Sequence, residues 1–405
     1  MKLHQKLFLF LVLLLPFQLG RHFWPNFSFV MGLRVDYLSP TIYLTDILVF
    51  LILGIWGLEK SKIQIKNLKF LFFFTSIFIF LLANCFFAKN QGAAIYKLVK
   101  IIEFSLLGLY IAKNHYSLST IHYPLTFAVI YSSLIAIAQF FKQTSLNGVF
   151  YWLGERTFNL ATPGIAKGSF FGYLLLRPYA TFSHPNVLAG FVLVAFILSA
   201  PFVYQKNKLL FTFYFLLFTF TIFISFSQAV WLVGLTLSLW RLRDLKINKW
   251  LKGAVYGGTI FLLIFYLIKV PIFNEESFSQ RLELSKIAFQ LIKQNPFIGV
   301  GLNNFIVNLP KFQQGQTLWL QPVHNIYLLI VSETGIVGLL IFLWFLFLTF
   351  CRPLTHRLSL FASLTAILLL GLFDHYWFTL QQTQLLLVII LGLIWGEKKA
   401  KINFQ

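Results

Sequence analysis

Acidic residues are scarce in this chain. Among 405 residues there are 12 Asp and Glu against 33 Lys and Arg, and charged residues of both signs make up only 11%. A soluble globular domain has roughly a quarter of its residues charged, so that class is excluded. Cysteine is nearly missing too: Cys85 and Cys351 are the two, they fall near opposite membrane faces in the topology argued below, and neither has metal-ligand company, which excludes a disulfide framework. No pair of carboxylates has DxD spacing, and no His/Asp/Glu cluster has the sequence spacing of a metal site. Short alternating polar and apolar segments are also lacking, which excludes a β-barrel. There is no internal repeat, no low-complexity tract and no soluble domain.

What the chain has is apolar length. It is 58% hydrophobic and holds 50 Phe, and its apolar runs repeatedly reach the ~20 residues needed to cross ~30 Å of hydrocarbon. This predicts an all-α polytopic membrane protein with about twelve transmembrane helices, at about 7–20, 41–58, 69–87, 94–112, 121–141, 186–204, 209–226, 228–240, 253–269, 324–350, 359–378 and 380–396. The first run follows Lys2 and Lys6 without a small-residue cleavage site, so it is expected to be a retained helix.

The net charge of +21 invites a nucleic-acid reading, but its distribution points to topology instead. With the N-terminus inside, more than half of the basic residues fall in short cytoplasmic loops and ends, from Lys2 and Lys6 through Arg241–Lys252 to Lys398–Lys401. That is the positive-inside rule, and the even span count returns the C-terminus to the cytoplasm. The other basic residues lie outside, where a positive field suits an anionic partner such as a phosphate, a diphosphate or an acidic glycan. Long loops also translocate regardless of charge.

Two outer segments interrupt the rhythm of helices and short loops: residues 142–186, and residues 270–323 between the ninth and tenth spans. Both are too aromatic and apolar for disorder, and loops of this length are usually functional when ordered. The second is partly helical, with Leu284, Ile287, Ala288, Leu291 and Ile292 at helical spacing and Pro296 as a stop.

Phosphate handling without metal needs cationic side chains, and the planar fork of arginine suits it. Arg177 and Arg281 are the nearest outer arginines to the motif-like segments, with Arg156 a third; each also reads as a solvated loop charge. His324 sits where the long loop re-enters the membrane. Its imidazole could take a proton from a hydroxyl nucleophile, or simply bond backbone at the interface. Glu333 lies nine residues on, roughly 13 Å deeper and on the opposite helical face from His324. An intramembrane carboxylate is a functional suspect; helix-to-helix pairing is the other reading. Gly335 and Gly338 remove bulk so that another helix can approach. Lys97, Lys100 and Glu103 follow three-residue spacing, and either hold a lipid phosphate or form a surface ion pair. Asp374–His375, at the membrane level of His324, either orients a catalytic group or caps a helix end.

The stretch HNIYLLIVSETGIVG (324–338) fits the His-Asn, nine residues, Gly-x-x-Gly signature of the O-antigen ligase and O-antigen polymerase superfamily. RPYATFSHPNVLAGFV from Arg177, SFSQAVWLVG from Ser225 and RLELSKIAFQLIKQNPFIGVGLNNF from Arg281 resemble the same family in the same order. The resemblance covers residues 170–345 in motifs, with a core at 186–350, and the whole chain in topology. It implies a C-type glycosyltransferase fold in the bacterial cytoplasmic (inner) membrane, and a role in lipopolysaccharide or other polysaccharide biosynthesis of the cell envelope.

The implied reaction moves a glycan from a polyprenyl (undecaprenyl) diphosphate to an acceptor hydroxyl on a lipid core, a polysaccharide or a protein. No cofactor, metal or nucleic acid takes part. The resemblance assigns catalysis to His324 and Arg281. Arg177, Gln228, Lys100 and Asn325 are then expected at the diphosphate and substrates, supported by Glu333, Asp374, Gly335 and Gly338. One departure stands out: the family's hairpin Ser-Arg is here Ser227–Gln228, which keeps hydrogen bonding but loses charge. The competing classes are a flippase of lipid-linked glycans, which would show repeats and broken helices at the midplane, and a scaffold without activity.

Overall fold

A computed structural model describes residues 1–59, 68–170, 172–244, 275–313, 318–353 and 357–397. The expected ninth span and the basic clusters at 60–66, 246–252 and 398–401 lie outside the described residues. The described chain is mostly helical: α1 (Leu3–Leu13), α2 (Leu44–Glu59), α3 (Leu68–Phe86), α4 (Gln91–Asn114), α5 (Leu118–Lys142), α6 (Pro185–Lys206), α7 (Lys208–Ile224), α8 (Gln228–Asp244), α9 (Glu275–Gln294), α10 (Ile326–Phe350), α11 (Arg357–Leu370) and α12 (Gln381–Gly396).

Helices α5, α6 and α10 are long and apolar enough to cross a membrane, and six shorter apolar helical stretches accompany them. Helix α1 stops earlier than the run of apolar residues suggested, because Pro16 disfavours helical backbone in the residue before it. Nor is the fold purely helical. Among the described residues three small two-stranded antiparallel sheets stand at one end of the bundle: β1 (Gly20–His22) with β4 (Thr41–Tyr43), which encloses the hairpin of β2 (Phe29–Val30) and β3 (Leu33–Arg34), and the hairpin of β5 (Lys167–Phe170) and β6 (Tyr173–Leu176).

Helix α6 is buried on every side from Val187 to Ala195, as an all-round apolar helix must be. Helices α5, α7, α11 and α12 pack around it, and the main apolar core forms there. Large apolar side chains face outward elsewhere, among them Phe50 (60% exposed), Phe127 (61%) and Phe347 (57%). In water so many exposed aromatics would be costly; in hydrocarbon they are solvated. A second, smaller core lies at the hairpin end. There α9 buries Leu284, Ile287, Ala288 and Leu291 against Val30, Leu38, Phe305 and Leu309, which fixes the face that carries Arg281.

Helix α10 is broken at Gly335, whose φ of 67° and ψ of −173° belong to a region open essentially to glycine alone. The break frees two carbonyls, of Ser332 and Glu333, and two amides, of Ile336 and Val337. The segment after α9 supplies the missing partners. Val300 N–H donates to Ser332 O at 2.9 Å and Gly301 N–H to Glu333 O at 2.9 Å, while Ile336 N–H donates to Pro296 O at 2.8 Å and Val337 N–H to Phe297 O at 3.4 Å. Asn84 of α3 pins the seam, donating to Ile298 O (2.8 Å) and Glu333 O (3.0 Å) and accepting from Leu302 N–H (2.8 Å). Non-helical backbone at membrane depth is tolerated where protein satisfies it in this way. The glycine therefore makes room for a loop: a Cβ on Gly335 would lie 2.1 Å from Phe297 O, and one on Gly338 would meet Thr334 of its own helix. This corrects the expectation that the glycines admit a neighbouring helix.

Candidate functional site

A cavity of about 1730 Å³ opens at the hairpin end, and its lining includes Arg177, Gln228, Arg281, His324, Asp374 and His375. Five chain segments bring them there. Arg177 follows β6 directly. Gln228 is the first residue of α8, after a turn in which Phe226 takes a positive φ of 50°. Arg281 lies on α9, His324 precedes α10, and Asp374–His375 lie in the turn between α11 and α12.

Asp374 is the hub. Its Oδ2 lies 3.9 Å from Arg281 Nη2 and accepts from Asn186 Nδ2 at 3.3 Å, while Oδ1 accepts from the backbone N–H of His375 at 2.8 Å. Arg281 Nη1 donates to Phe373 O at 2.9 Å, so the guanidinium is anchored beside the carboxylate yet remains a third exposed. The His324 and His375 rings meet edge to face at 5.1 Å. Thr379 Oγ1 holds His375 Nδ1 at 2.7 Å.

The electrostatics follow from burial and these neighbours. Burial alone would raise the Asp374 carboxyl, but His324, His375, Arg281 and His184 outweigh it and hold it well below the usual carboxylate range. Burial pushes His375 down to about 3, against the pull of Asp374. It does the same to His184, also to about 3, with Arg177 adding to the effect. His324 is lowered as well, by burial first and then Arg281, with Asp374 opposing. At neutral pH all three imidazoles are uncharged. Two guanidiniums then stand against one carboxylate, leaving net positive charge for an anion and a neutral imidazole able to accept a proton.

Arg177 is fixed by its own bonds: Nε donates to Ser225 O at 2.7 Å and Nη2 to Asn186 Oδ1 at 2.6 Å. Asn186 thus bridges Arg177 to Asp374. It sits in the first turn of α6, where Pro185 is preset for a helix start and His184 Nδ1 caps the Asn186 N–H at 3.1 Å. Sequence reading passed over Asn186, His184 and Tyr37, whose ring meets His375 edge to face at 5.4 Å. The one available signal was the run SHPN, four polar or helix-starting residues at the head of an apolar helix. Arg156 also lines the cavity and donates to Ser183 O at 3.2 Å.

Other candidates are placed differently. Asn325 does not line the cavity: its side-chain oxygen caps α10 through Tyr327 N–H and Leu328 N–H, both at 2.9 Å, and its Nδ2 donates to Leu372 O. Glu333 is also outside the lining: its carboxylate accepts from Phe305 N–H at 3.3 Å, so it holds the turn ahead of Phe305, and Lys97 of α4 is a charged neighbour. Lys100 lines the cavity but is neutralised in a buried trio, 2.7 Å from Asp46 and 3.1 Å from Glu103. The expected surface pair is therefore internal, and its third member, Asp46, comes from α2, far from Lys100 along the chain.

The fold also assembles what sequence spacing lacked. One ligand atom each from His324, Asp374 and His375 lies within 4.8 Å of the others, a set that could hold a metal ion. Two histidines and a carboxylate suit a divalent transition metal. The Asp374 carboxylate already has the Arg281 guanidinium 3.9 Å from its Oδ2, however, and a guanidinium beside the site opposes a second cation.

Residues 213–343 match the family model described as O-Antigen ligase, and the match assigns this segment to the O-antigen ligase superfamily. It takes in Gln228, Arg281, His324 and Glu333, and leaves Arg177, Asn186, Asp374 and His375 outside. No curated protein matches the chain. The match implies glycan transfer between lipid-linked donor and acceptor substrates in an integral membrane protein.

Proposed function

We propose that the chain is a metal-independent glycosyltransferase of the bacterial inner membrane. It moves a glycan from a polyprenyl-diphosphate carrier to an acceptor hydroxyl at the outer face. In this reading about twelve spans cross the membrane with both termini cytoplasmic, and the hairpin end is periplasmic. The observation that carries the reading is the convergence of Arg281, Arg177 and His324 on one cavity around Asp374.

The acceptor hydroxyl gives its proton to the neutral His324 imidazole as its oxygen attacks the anomeric carbon. The bond from that carbon to the phosphate oxygen breaks, and polyprenyl diphosphate leaves with its added charge met by Arg281 and Arg177. Asp374 stabilises the imidazolium that forms and holds Arg281 in place. Gln228 offers a hydrogen bond to the diphosphate without charge, which leaves that work to the two arginines.

A flippase reading draws on the break in α10, because broken helices mark transporter sites. Here the freed backbone groups are occupied by loop backbone and Glu333 stays outside the cavity lining, so the enzyme is the better reading. Purified protein in nanodiscs with a polyprenyl-diphosphate oligosaccharide and candidate acceptors tests it. Transfer should appear with wild type and fall at least ~100-fold in Arg281→Ala that still elutes as folded protein. Translocation in liposomes without new glycosidic bonds would sink the proposal.

A further inference from the structure

Lys97 also lines the cavity, from α4 rather than from the segments that carry the arginines. Its ammonium donates to Phe378 O. That carbonyl belongs to the single helical turn Tyr376–Thr379, which also holds His375 through Thr379. An ammonium carries three donors, and Phe378 O takes one. Among the described residues Lys97 makes no ion pair. Asp46 and Glu103 are occupied by Lys100 one turn further along α4, and Glu333, whose field reaches Lys97, accepts from Phe305 N–H. A cation facing a cavity with two donors to spare is the expected partner of a ligand anion.

The surroundings indicate which anion. Tyr43, Tyr96, Thr379 and Gln384 line the same cavity. Aromatic faces together with hydroxyl and amide groups suit a sugar ring and its hydroxyls, whereas a diphosphate is already met by Arg177 and Arg281. We propose that Lys97 is the specificity residue of a glycan subsite that reads an acidic sugar, one carrying a carboxylate or a phosphate, within one helical turn of the reacting centre. This rests on the glycan-transfer reading above and adds the class of saccharide.

The test uses wild-type, Lys97→Met, Lys97→Arg and Arg281→Ala protein in nanodiscs, with binding read by calorimetry. The probes are methyl β-D-glucuronide, glucose 6-phosphate, neutral methyl β-D-glucoside and inorganic pyrophosphate. At least one acidic sugar should bind wild type about tenfold or more tightly than the neutral glucoside. Lys97→Met should erase that preference, and Lys97→Arg, which keeps the charge, should retain most of it. Pyrophosphate should be unaffected by Lys97→Met and weakened about tenfold by Arg281→Ala. Equal binding of acidic and neutral sugars by wild type overturns the proposal, as does a preference that survives Lys97→Met. Loss of pyrophosphate binding in Lys97→Met also overturns it, by moving Lys97 to the diphosphate. Pyrophosphate binding untouched in Arg281→Ala counts against the transfer reading instead.

Discussion

Replacing Asp374 with Asn isolates the charge of the hub while keeping its size and its ability to accept a hydrogen bond. When His324 takes the acceptor proton it becomes a cation no more than 4.8 Å from the Asp374 carboxylate. At an effective dielectric of about 20, two unit charges at that separation attract by ~3.5 kcal/mol. This attraction exists only once the proton has moved, so it lowers the barrier and not the ground state. At 1.36 kcal/mol per tenfold, its loss corresponds to a fall in kcat of a few hundredfold, roughly 10²–10³ after allowance for the open mouth of the cavity. The pH profile gives a second, independent reading. Transfer needs neutral His324 and therefore fails as pH drops through its pKa. Asp374 raises that pKa against burial and Arg281, so in Asp374→Asn the acid limb of kcat/KM moves to lower pH even as the plateau drops. Steady-state transfer assays across the acid range measure both. A plateau within threefold of wild type, or an acid limb that moves to higher pH, would refute the idea that this carboxylate serves the imidazole.

Gly335→Ala places a Cβ against Phe297 O in a conformation closed to L-residues, and should destabilise the protein by more than about 3 kcal/mol; an unchanged unfolding temperature in size-exclusion thermostability assays contradicts this. Gln228→Arg adds charge to the cavity and should tighten inorganic pyrophosphate binding about tenfold, so calorimetry showing equal or weaker binding would place Gln228 away from the diphosphate. Chelation with EDTA followed by dialysis should leave transfer unchanged, because Arg281 already balances Asp374; activity lost on chelation and recovered with Zn²⁺ or Mn²⁺ would make His324, Asp374 and His375 a metal site.

The chemistry-bearing residues stood out in the sequence because the background is so apolar. In a chain that is 11% charged, an arginine beside an apolar run or a histidine at the mouth of one is conspicuous, and Arg177, Arg281 and His324 do share a cavity. What stayed hidden depends on distant complementarity. The pairing of Lys100 with Asp46 joins α4 to the start of α2, and no local spacing announces it. The small sheets have strands of two to four residues, too short to show alternation. Asn186 is an ordinary polar residue at a helix start until the fold sets Arg177 on one side of it and Asp374 on the other. The misreading of Gly335 has the same origin: glycine at a GxxG spacing is compatible with helix packing, and only the four complementary hydrogen bonds of the 296–301 segment identify its partner as a loop.

That seam limits where this chain can be edited. Because the backbone between Pro296 and Gly301 is threaded through α10, an insertion or deletion there would drag the guanidinium of α9 out of step with the imidazole at the head of α10.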